Sequence, residues 1–185
     1  CSHISSQTCG TNGADTIYGM GCDIFHARAV ERVCQYKKID PKKANLSFIC
    51  YDLSHIAEYA KVNNDVFKLM KKNLPGPFTF ILNATSNLPK LFRNKKTVGI
   101  RVPDNNVIRE IVRTLGNPIL STSVRDDNDD VLEYYTDPEL MDEKLSHFVD
   151  CVINSGYGSL EPSTVVDCTG DEPVIVRQGK GILEY

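Results

Sequence analysis

No apolar run in this sequence approaches the roughly 18 residues that a membrane-spanning helix requires. The seven cysteines include no C-x-x-C pair, and the four histidines have no metal-ligand spacing. The glycine-rich phosphate loops, the G-x-S-x-G motif and the H-E-x-x-H motif are also missing. These absences exclude a transmembrane helix and remove support for the commonest nucleotide-loop, acyl-transfer and zinc-protease functions. We expect no structural metal and no membrane partner.

The composition is that of a single soluble domain. The chain has 185 residues, of which 41% are apolar and 24% are charged, and these values are typical of a globular protein with a sizeable core. Cys34, Cys50 and Cys151 lie in apolar stretches. An unpaired cysteine packs as a small hydrophobe in compartments where thiols stay reduced. The cysteine pattern therefore predicts buried, reduced thiols and a cytoplasmic location.

Charge is distributed unevenly along the chain. Residues 1–113 contain 17 Lys+Arg and 9 Asp+Glu, a balance of +8, whereas residues 114–185 contain 4 and 15, a balance of −11. Basic clusters can attract phosphate or nucleic acid over long range, but a single cluster is more often a solvated helix face or loop tip than a binding patch. The acidic run over residues 126–130 predicts an exposed loop.

Apolar residues at helical spacing predict several amphipathic helices. The Pro-Gly pair that follows one of them fits the two central positions of a type II turn. The predicted helices cover 26–37 with Asp23 as the cap, a segment from Asp52 to Ala60, a segment from Asn64 to the Pro75-Gly76-Pro77 turn, and the stretch from Val107 to Leu115 before Gly116.

Six short runs rich in β-branched residues predict strands. They alternate with the predicted helices, and this order is typical of an α/β or α+β domain in which helices pack on a sheet. The predicted strands are 78–82, 98–102, 118–122, 149–153, 163–167 and 173–177.

Polar side chains lie at the ends of these strands, where a sheet commonly carries its ligand groups. Taken singly, such hydroxyls are more often turn caps, and such arginines are more often partners in surface ion pairs. Taken in order, the segments resemble the motifs of the YrdC/YciO family, and the resemblance extends from Asp15 to Gly179. The matching segments are D-T-I-Y-G, P-G-P-F-T, R-V-P, S-T-S, S-T-V-V-D and R-Q-G.

The resemblance implies a single-domain, twisted mixed β-sheet with helices packed on one side and a concave basic groove on the other. It divides the chain into an atypical or truncated N-terminal segment, residues 1–14, and a YrdC-like domain, residues 15–185. Family members with established chemistry are L-threonylcarbamoyladenylate synthases. These nucleotidyltransferases combine L-threonine, bicarbonate and ATP for the synthesis of threonylcarbamoyladenosine (t6A) in tRNA. Other members are described as binding double-stranded RNA.

The family motifs also imply roles for individual residues. Lys38 and Arg101 would be the catalytic cations, because such a transfer depends on positioning and on neutralising phosphate charge. Thr16 would help to hold threonine. Mg²⁺ is implied by the triphosphate of ATP and not by any carboxylate pair in the chain. The other predicted substrate- or nucleotide-binding residues are Thr79, Ser121, Ser123, Arg125, Ser163 and Arg177.

Two positions depart from the synthase motifs. The synthases have K-x-R-P where this chain has Lys38-Ile39-Asp40-Pro41, and S-x-N where it has Ser123-Val124-Arg125. A carboxylate beside a triphosphate is unfavourable, because like charges repel strongly in a partly dry cleft. We hypothesise that Arg125 pairs with Asp40 and takes over part of the lost arginine's role. Alternatively, Arg125 only neutralises the acidic run over 126–130.

The N-terminal side is a third departure. The family usually has Tyr-Pro-Thr before D-T-V-Y-G, whereas this chain has Asn12-Gly13-Ala14. Ala14 lacks the expected hydroxyl, and Gly13 loosens the backbone that aims Thr16. We expect either that the usual first strand is absent or that residues 1–14 replace it poorly, which would leave a sheet edge or groove open.

These features lead to competing functional hypotheses. The leading one is a threonylcarbamoyladenylate synthase-like protein of the YciO branch. The alternative is a YciO-type protein that binds double-stranded RNA or tRNA and has no synthase activity, and a third is an inert structural paralogue. The intact motifs favour the first, whereas Asp40 and Arg125 favour the second.

Overall fold

The computed structural model describes residues 9–11, 18–40, 47–124, 136–154 and 158–185, and only the backbone of 9–11. Thr16, Arg125 and the acidic run over 126–130 therefore lie outside the described residues. Within the described ranges there are ten strands and five α-helices. They are β1 (Cys9–Thr11), β2 (Gly19–Asp23), α1 (Ala27–Tyr36), β3 (Ser47–Ile49), α2 (Ile56–Tyr59), β4 (Ala60–Lys61), α3 (Asn64–Asn73), β5 (Phe78–Ala84), β6 (Thr97–Arg101), α4 (Asn106–Leu115), β7 (Ile119–Ser123), α5 (Pro138–Leu145), β8 (Cys151–Val152), β9 (Thr164–Asp167) and β10 (Val174–Arg177).

All ten strands belong to one mixed sheet. Its order is β10-β9-β5-β6-β3-β7-β2-β1-β8, and β4 pairs separately with β5. The pairs β3–β6, β5–β9 and β1–β8 are parallel and the others are antiparallel. The predicted single-domain mixed sheet with packed helices is therefore confirmed.

Alternation along each strand separates the sheet into two faces. In β5, Phe78, Phe80 and Leu82 are buried, whereas Thr79 and Ile81 are only half-buried. The buried set packs in one large apolar cluster with side chains of α1 and α3. We call this side the covered face and the opposite side the open face.

Helix α4 is an exception to the expected one-sided packing. Ile108 and Val112 of α4 form a second apolar cluster with Ile49 of β3 and Ile119 of β7. Ile49 and Ile119 have the opposite strand parity to Phe48 and Leu120, which belong to the large cluster. Helices therefore pack on both faces, and α4 covers one end of the open face.

All six predicted strands are present within two residues of the predicted bounds, and β8 is the shortest of them, Cys151–Val152. The predicted cap at Asp23 is wrong, because Asp23 stays in β2 opposite Ile119. His26 caps α1 instead, and its Nδ1 accepts a hydrogen bond from the Ala29 amide at 3.2 Å.

Two local predictions fail for tertiary reasons. The helix predicted up to Ala60 is only Ile56–Tyr59, because Ala60 pairs with Ala84 as part of β4. The type II turn is wrong, since Gly76 does not have the positive φ that its third position needs. Its amide donates to the carbonyl of Val102 at 2.9 Å. By contrast, Gly116 ends α4 with φ 79°, as predicted.

Of the two N-terminal expectations, only the absence of a first strand is contradicted. Cys9–Thr11 forms a strand that pairs antiparallel with β2 and parallel with β8. A strand therefore precedes β2, and its backbone is paired on both sides. The thiol prediction holds for Cys34 and Cys50, which are buried and free, but Cys151 is exposed. Within the described residues, no helix is both long and apolar enough to cross a membrane.

Candidate functional site

Five of the residues predicted from the motifs share the open face. Phe80 lies opposite Ile100 on the covered face, so the adjoining Thr79 and Arg101 both belong to the open face. Val165 lies opposite Thr79, and Ser163 is two residues before it on the same side. Strand β7 contributes the other two, Ser121 and Ser123, which share the parity of Ile119.

The floor between these groups is made of very small residues. Across β6, β3, β7 and β2, the residues Gly99, Ser47, Ser121 and Gly21 lie side by side. A Cβ at Gly99 would lie 3.2 Å from Ser47 Cβ and 3.3 Å from Thr79 Cγ2. A Cβ at Gly21 would lie only 2.8 Å from Leu120 O. No side chain in this row is larger than serine; Ser47 and Gly99 are half-buried, whereas Gly21 and Ser121 are buried.

The side chain of Arg177 is bonded to the segment before β9. Its Nη2 donates to Ser163 O at 2.8 Å and to Ser163 Oγ at 3.3 Å, and its Nε donates to Ser163 O at 3.2 Å. Ser163 Oγ in turn lies 2.9 Å from Thr79 Oγ1. The structure thus brings Thr79, Ser163 and Arg177 together in one hydrogen-bonded group.

The segment after β10 holds this group in place. Gly179 donates its amide to Thr164 Oγ1 at 3.0 Å, and Lys180 donates its amide to Pro162 O at 3.0 Å. Any side chain at position 179 would place its Cβ 2.2 Å from Pro162 O. Glycine is therefore required here by close backbone approach, which explains the last motif of the sequence in steric terms.

The two β7 serines differ in exposure. Ser121 is buried, and its carbonyl accepts a hydrogen bond from Ser47 Oγ at 3.3 Å. Ser123 is exposed at the end of the strand. The hydroxyl of Ser123 is thus accessible at the rim of the open face, whereas Ser121 belongs to its floor.

Lys38 lies in an exposed loop that begins beside the same rim. Tyr36 Oη, at the end of α1, donates to Val124 O at 3.3 Å, immediately after Ser123. Two residues further on, Lys38 adopts a left-handed conformation with φ 53°. The loop that contains Lys38 therefore begins beside the end of β7. Among the described contacts, none joins Lys38 to Arg101.

Asp40, which stands where the synthases have arginine, interacts electrostatically with Lys95. Burial lowers the pKa of Lys95, and the negative charge of Asp40 opposes this effect. The other partner of our hypothesis, Arg125, lies outside the described residues. Lys95 was not identified from the motifs, and only its place in the basic run before β6 could have suggested it.

Other site residues were also missed by motif reasoning. Gly99, Gly21 and Ser47 form the floor, and a glycine inside a predicted strand is a signal for close approach of a ligand or another backbone. Among the described residues, no three His, Cys, Asp or Glu side chains are grouped so that they could hold a metal ion.

The mixed sheet carries these motifs on one polar face, whose centre is lined by small residues. This combination of fold and motifs defines a class of protein. The Sua5/YciO/YrdC family model, described as "Telomere recombination", matches residues 13–179. The chain therefore belongs to this family, which includes threonylcarbamoyl-AMP synthases.

Within the family, the chain is similar to YciO of Escherichia coli. The two are 40% identical over 169 residues, which cover 90% of this chain and 81% of YciO. The E. coli YciO crystal structure superposes with a TM-score of 0.84 and covers 97% of this chain and 86% of that one. YciO itself is described as uncharacterized.

Similarity also extends to the synthases. A putative threonylcarbamoyl-AMP synthase of Methanocaldococcus jannaschii is 33% identical over 168 residues, covering 90% of this chain and 77% of its own. The crystal structure of Pyrococcus abyssi Sua5 in complex with L-threonine has a TM-score of 0.82 at 23% identity. It matches over 95% of this chain and 51% of Sua5, and at this identity it shows a shared fold.

Proposed function

We propose that the protein is a threonylcarbamoyladenylate synthase-like nucleotidyltransferase that binds ATP and L-threonine, with bicarbonate, on the open face. The observation that carries the proposal is the grouping of Thr79, Arg101, Ser121, Ser123 and Ser163 on one face of the sheet, with small residues on the strands between them. Hydroxyl donors and a guanidinium suit phosphate and carboxylate oxygens.

The proposed reaction joins three substrates. The threonine amine attacks the carbon of bicarbonate, so that an N–C bond forms, a C–O bond breaks and water leaves. An oxygen of the resulting carbamate then attacks the α-phosphorus of ATP. The bond between the α-phosphorus and the bridging oxygen breaks, and pyrophosphate leaves. Arg101, with Lys38 from the neighbouring loop, would neutralise charge that develops on the phosphates. Mg²⁺ bound to the triphosphate of ATP would neutralise phosphate charge beside these cations.

The direct experiment is incubation of the protein with ATP, bicarbonate and L-threonine. We expect pyrophosphate release that requires all three substrates, together with an adenylate product detected by mass spectrometry. Arg101→Ala should slow the reaction about 100-fold, because removal of one charge-stabilising donor has an effect of this order. Arg101→Lys keeps the charge and separates loss of chemistry from loss of folding.

A matched control is available on α4. Arg113 is exposed and paired only locally with Glu110, so Arg113→Ala should leave the rate unchanged. Absence of pyrophosphate release at high protein concentration, with folding confirmed by circular dichroism, would overturn the synthase proposal.

A second candidate function is binding of double-stranded RNA or tRNA without synthesis. The observation that favours it is Asp40, a carboxylate where the synthase motif has a cation, next to a basic segment with exposed Lys90, Arg93 and Lys96. The test is duplex RNA binding at about 50 and 200 mM salt, because phosphate contacts weaken steeply with added salt. Salt-sensitive binding without pyrophosphate release would favour this candidate over the first.

A further inference from the structure

Three side chains form a hydrogen-bond chain across neighbouring strands of the open face. Arg177 Nη2 lies 3.3 Å from Ser163 Oγ, which lies 2.9 Å from Thr79 Oγ1. Arg177 belongs to β10, Ser163 directly precedes β9, and Thr79 belongs to β5. The chain therefore connects the edge of the sheet with the strand next to Arg101.

The chemistry of the three groups gives this chain a direction. A guanidinium can only donate, so Ser163 Oγ accepts from Arg177. The single hydroxyl proton of Ser163 is then best placed pointing away from the positive charge, toward Thr79 Oγ1. Thr79 Oγ1 accepts this hydrogen bond. The hydroxyl proton of Thr79 is then left for an acceptor other than Ser163 and Arg177.

The position of Thr79 directs that proton to the open face. Thr79 is half-buried, and its methyl group faces Gly99, where an added Cβ would lie 3.3 Å away. Arg101 is the residue opposite it on β6, next to the Phe80–Ile100 pair. An anionic oxygen above Thr79 would thus meet a hydroxyl proton beside the strand position of Arg101.

We propose that Thr79 is the hydroxyl that contacts a phosphate oxygen, and that Ser163 and Arg177 are positioning residues that orient and polarise it. This inference rests on the proposed function, because it takes ATP as the ligand. It differs from the expectation drawn from the motifs, in which all three residues bind the nucleotide directly.

The test is a mutant cycle on ATP affinity, measured by isothermal titration calorimetry. Thr79→Val removes the hydroxyl and keeps the shape. Ser163→Ala interrupts the chain but leaves Arg177 bonded to the backbone carbonyl of residue 163. We expect a loss of about tenfold for Thr79→Val and about threefold for Ser163→Ala. The double variant should be no weaker than Thr79→Val alone.

Two controls separate positioning from general structure. Thr79→Ser keeps the hydroxyl and should restore near wild-type affinity. Thr114→Val alters an exposed threonine of α4 and should have no effect. Unfolding midpoints are measured for every variant, so that a loss of folding is not read as a loss of binding. Multiplicative losses in the double variant, or unchanged affinity for Thr79→Val, would overturn the proposal.

The outcomes are distinguishable from failure of the proposed function. ATP binding without pyrophosphate release would overturn the synthase reaction, and the cycle could still be measured. If ATP does not bind, inorganic pyrophosphate is the probe for the same cycle. Binding of neither anion would overturn the hydrogen-bond proposal together with the proposed function.

Discussion

The two faces of strand β5 place adjacent residues in opposite environments. Phe80 is fully buried against Phe78, with ring centroids 5.9 Å apart, whereas Thr79 and Ile81 are half-buried on the other side. The covered face carries large apolar side chains that stabilise the domain by burial. The open face carries hydroxyls, glycines and a guanidinium, and these residue types contribute little burial but offer many hydrogen bonds. Along β5, stability and ligand chemistry are thus separated by the alternation of the strand, while α4 buries an apolar cluster at one end of the open face.

The largest expected effect is at the centre of the covered face. Phe80→Ala should lower the free energy of unfolding by about 3–5 kcal/mol, because it removes a fully buried ring and leaves a cavity. The matched open-face variant, Ile81→Ala, should have a clearly smaller effect, since its side chain is only half-buried. Urea unfolding of both variants measures the difference, and equal losses would contradict the division into two faces.

The next effect concerns the segment that holds the open-face hydroxyls. Gly179→Ala should destabilise the protein by about 2 kcal/mol, because its Cβ would meet Pro162 O, which is backbone and cannot yield easily. Gly170→Ala is the control, since an added Cβ there meets nothing within 4 Å. Unfolding midpoints compare the two, and a stable Gly179→Ala protein would show that this close approach is not required.

Sequence patterns predicted the part of this structure that depends on local periodicity. Six predicted strands exist, and α4 with its Gly116 end was located from apolar spacing and a single glycine. Helix α5 was missed, although Asp137 as cap and Pro138 in the first turn are a start signal. The predictions at Asp23, Ala60 and Gly76 failed because partners distant in sequence, Ile119, Ala84 and Val102, determine their conformation.

For the candidate site, the sequence likewise predicted residue types but not the contacts between them. The motifs identified hydroxyls and arginines but could not show that Arg177 is bonded to Ser163, because that contact depends on how β10 lies against β9. The floor residue Ser47 was also missed, since its role comes from its register with Gly99 and Ser121. A single sequence therefore could not predict which of these residues are in contact.

A smaller expected effect is the pH dependence of stability that arises from a thiol buried on the covered face. Burial raises the pKa of Cys50 from 9.0 to about 12, with a further contribution from Asp52. Because the folded state holds this proton more tightly than the unfolded state, the resulting stability is present below pH 9 and is lost as pH rises toward 12. We expect the free energy of unfolding to fall by roughly 1 kcal/mol between pH 8 and 10 from this group.

Cys50→Ala is the variant that isolates this contribution. It should be less stable at pH 8 because a buried side chain is truncated, but its stability should decline less between pH 8 and 10. Burial also raises the pKa of Cys168 to about 11, so part of the slope should remain. An unchanged slope in Cys50→Ala would show that this thiol does not titrate differently on folding.

The smallest expected effect on stability is at Ser123, on the exposed rim of the open face. Ser123→Ala removes a hydroxyl that contributes no burial, so the free energy of unfolding should change by less than about 0.5 kcal/mol. If the open face binds ATP, the same variant should weaken ATP affinity several-fold, because a ligand donor is lost. Urea unfolding and ATP titration of this one variant measure the two effects separately. Loss of stability without loss of affinity at Ser123 would mean that the open face, like the covered one, is built for folding.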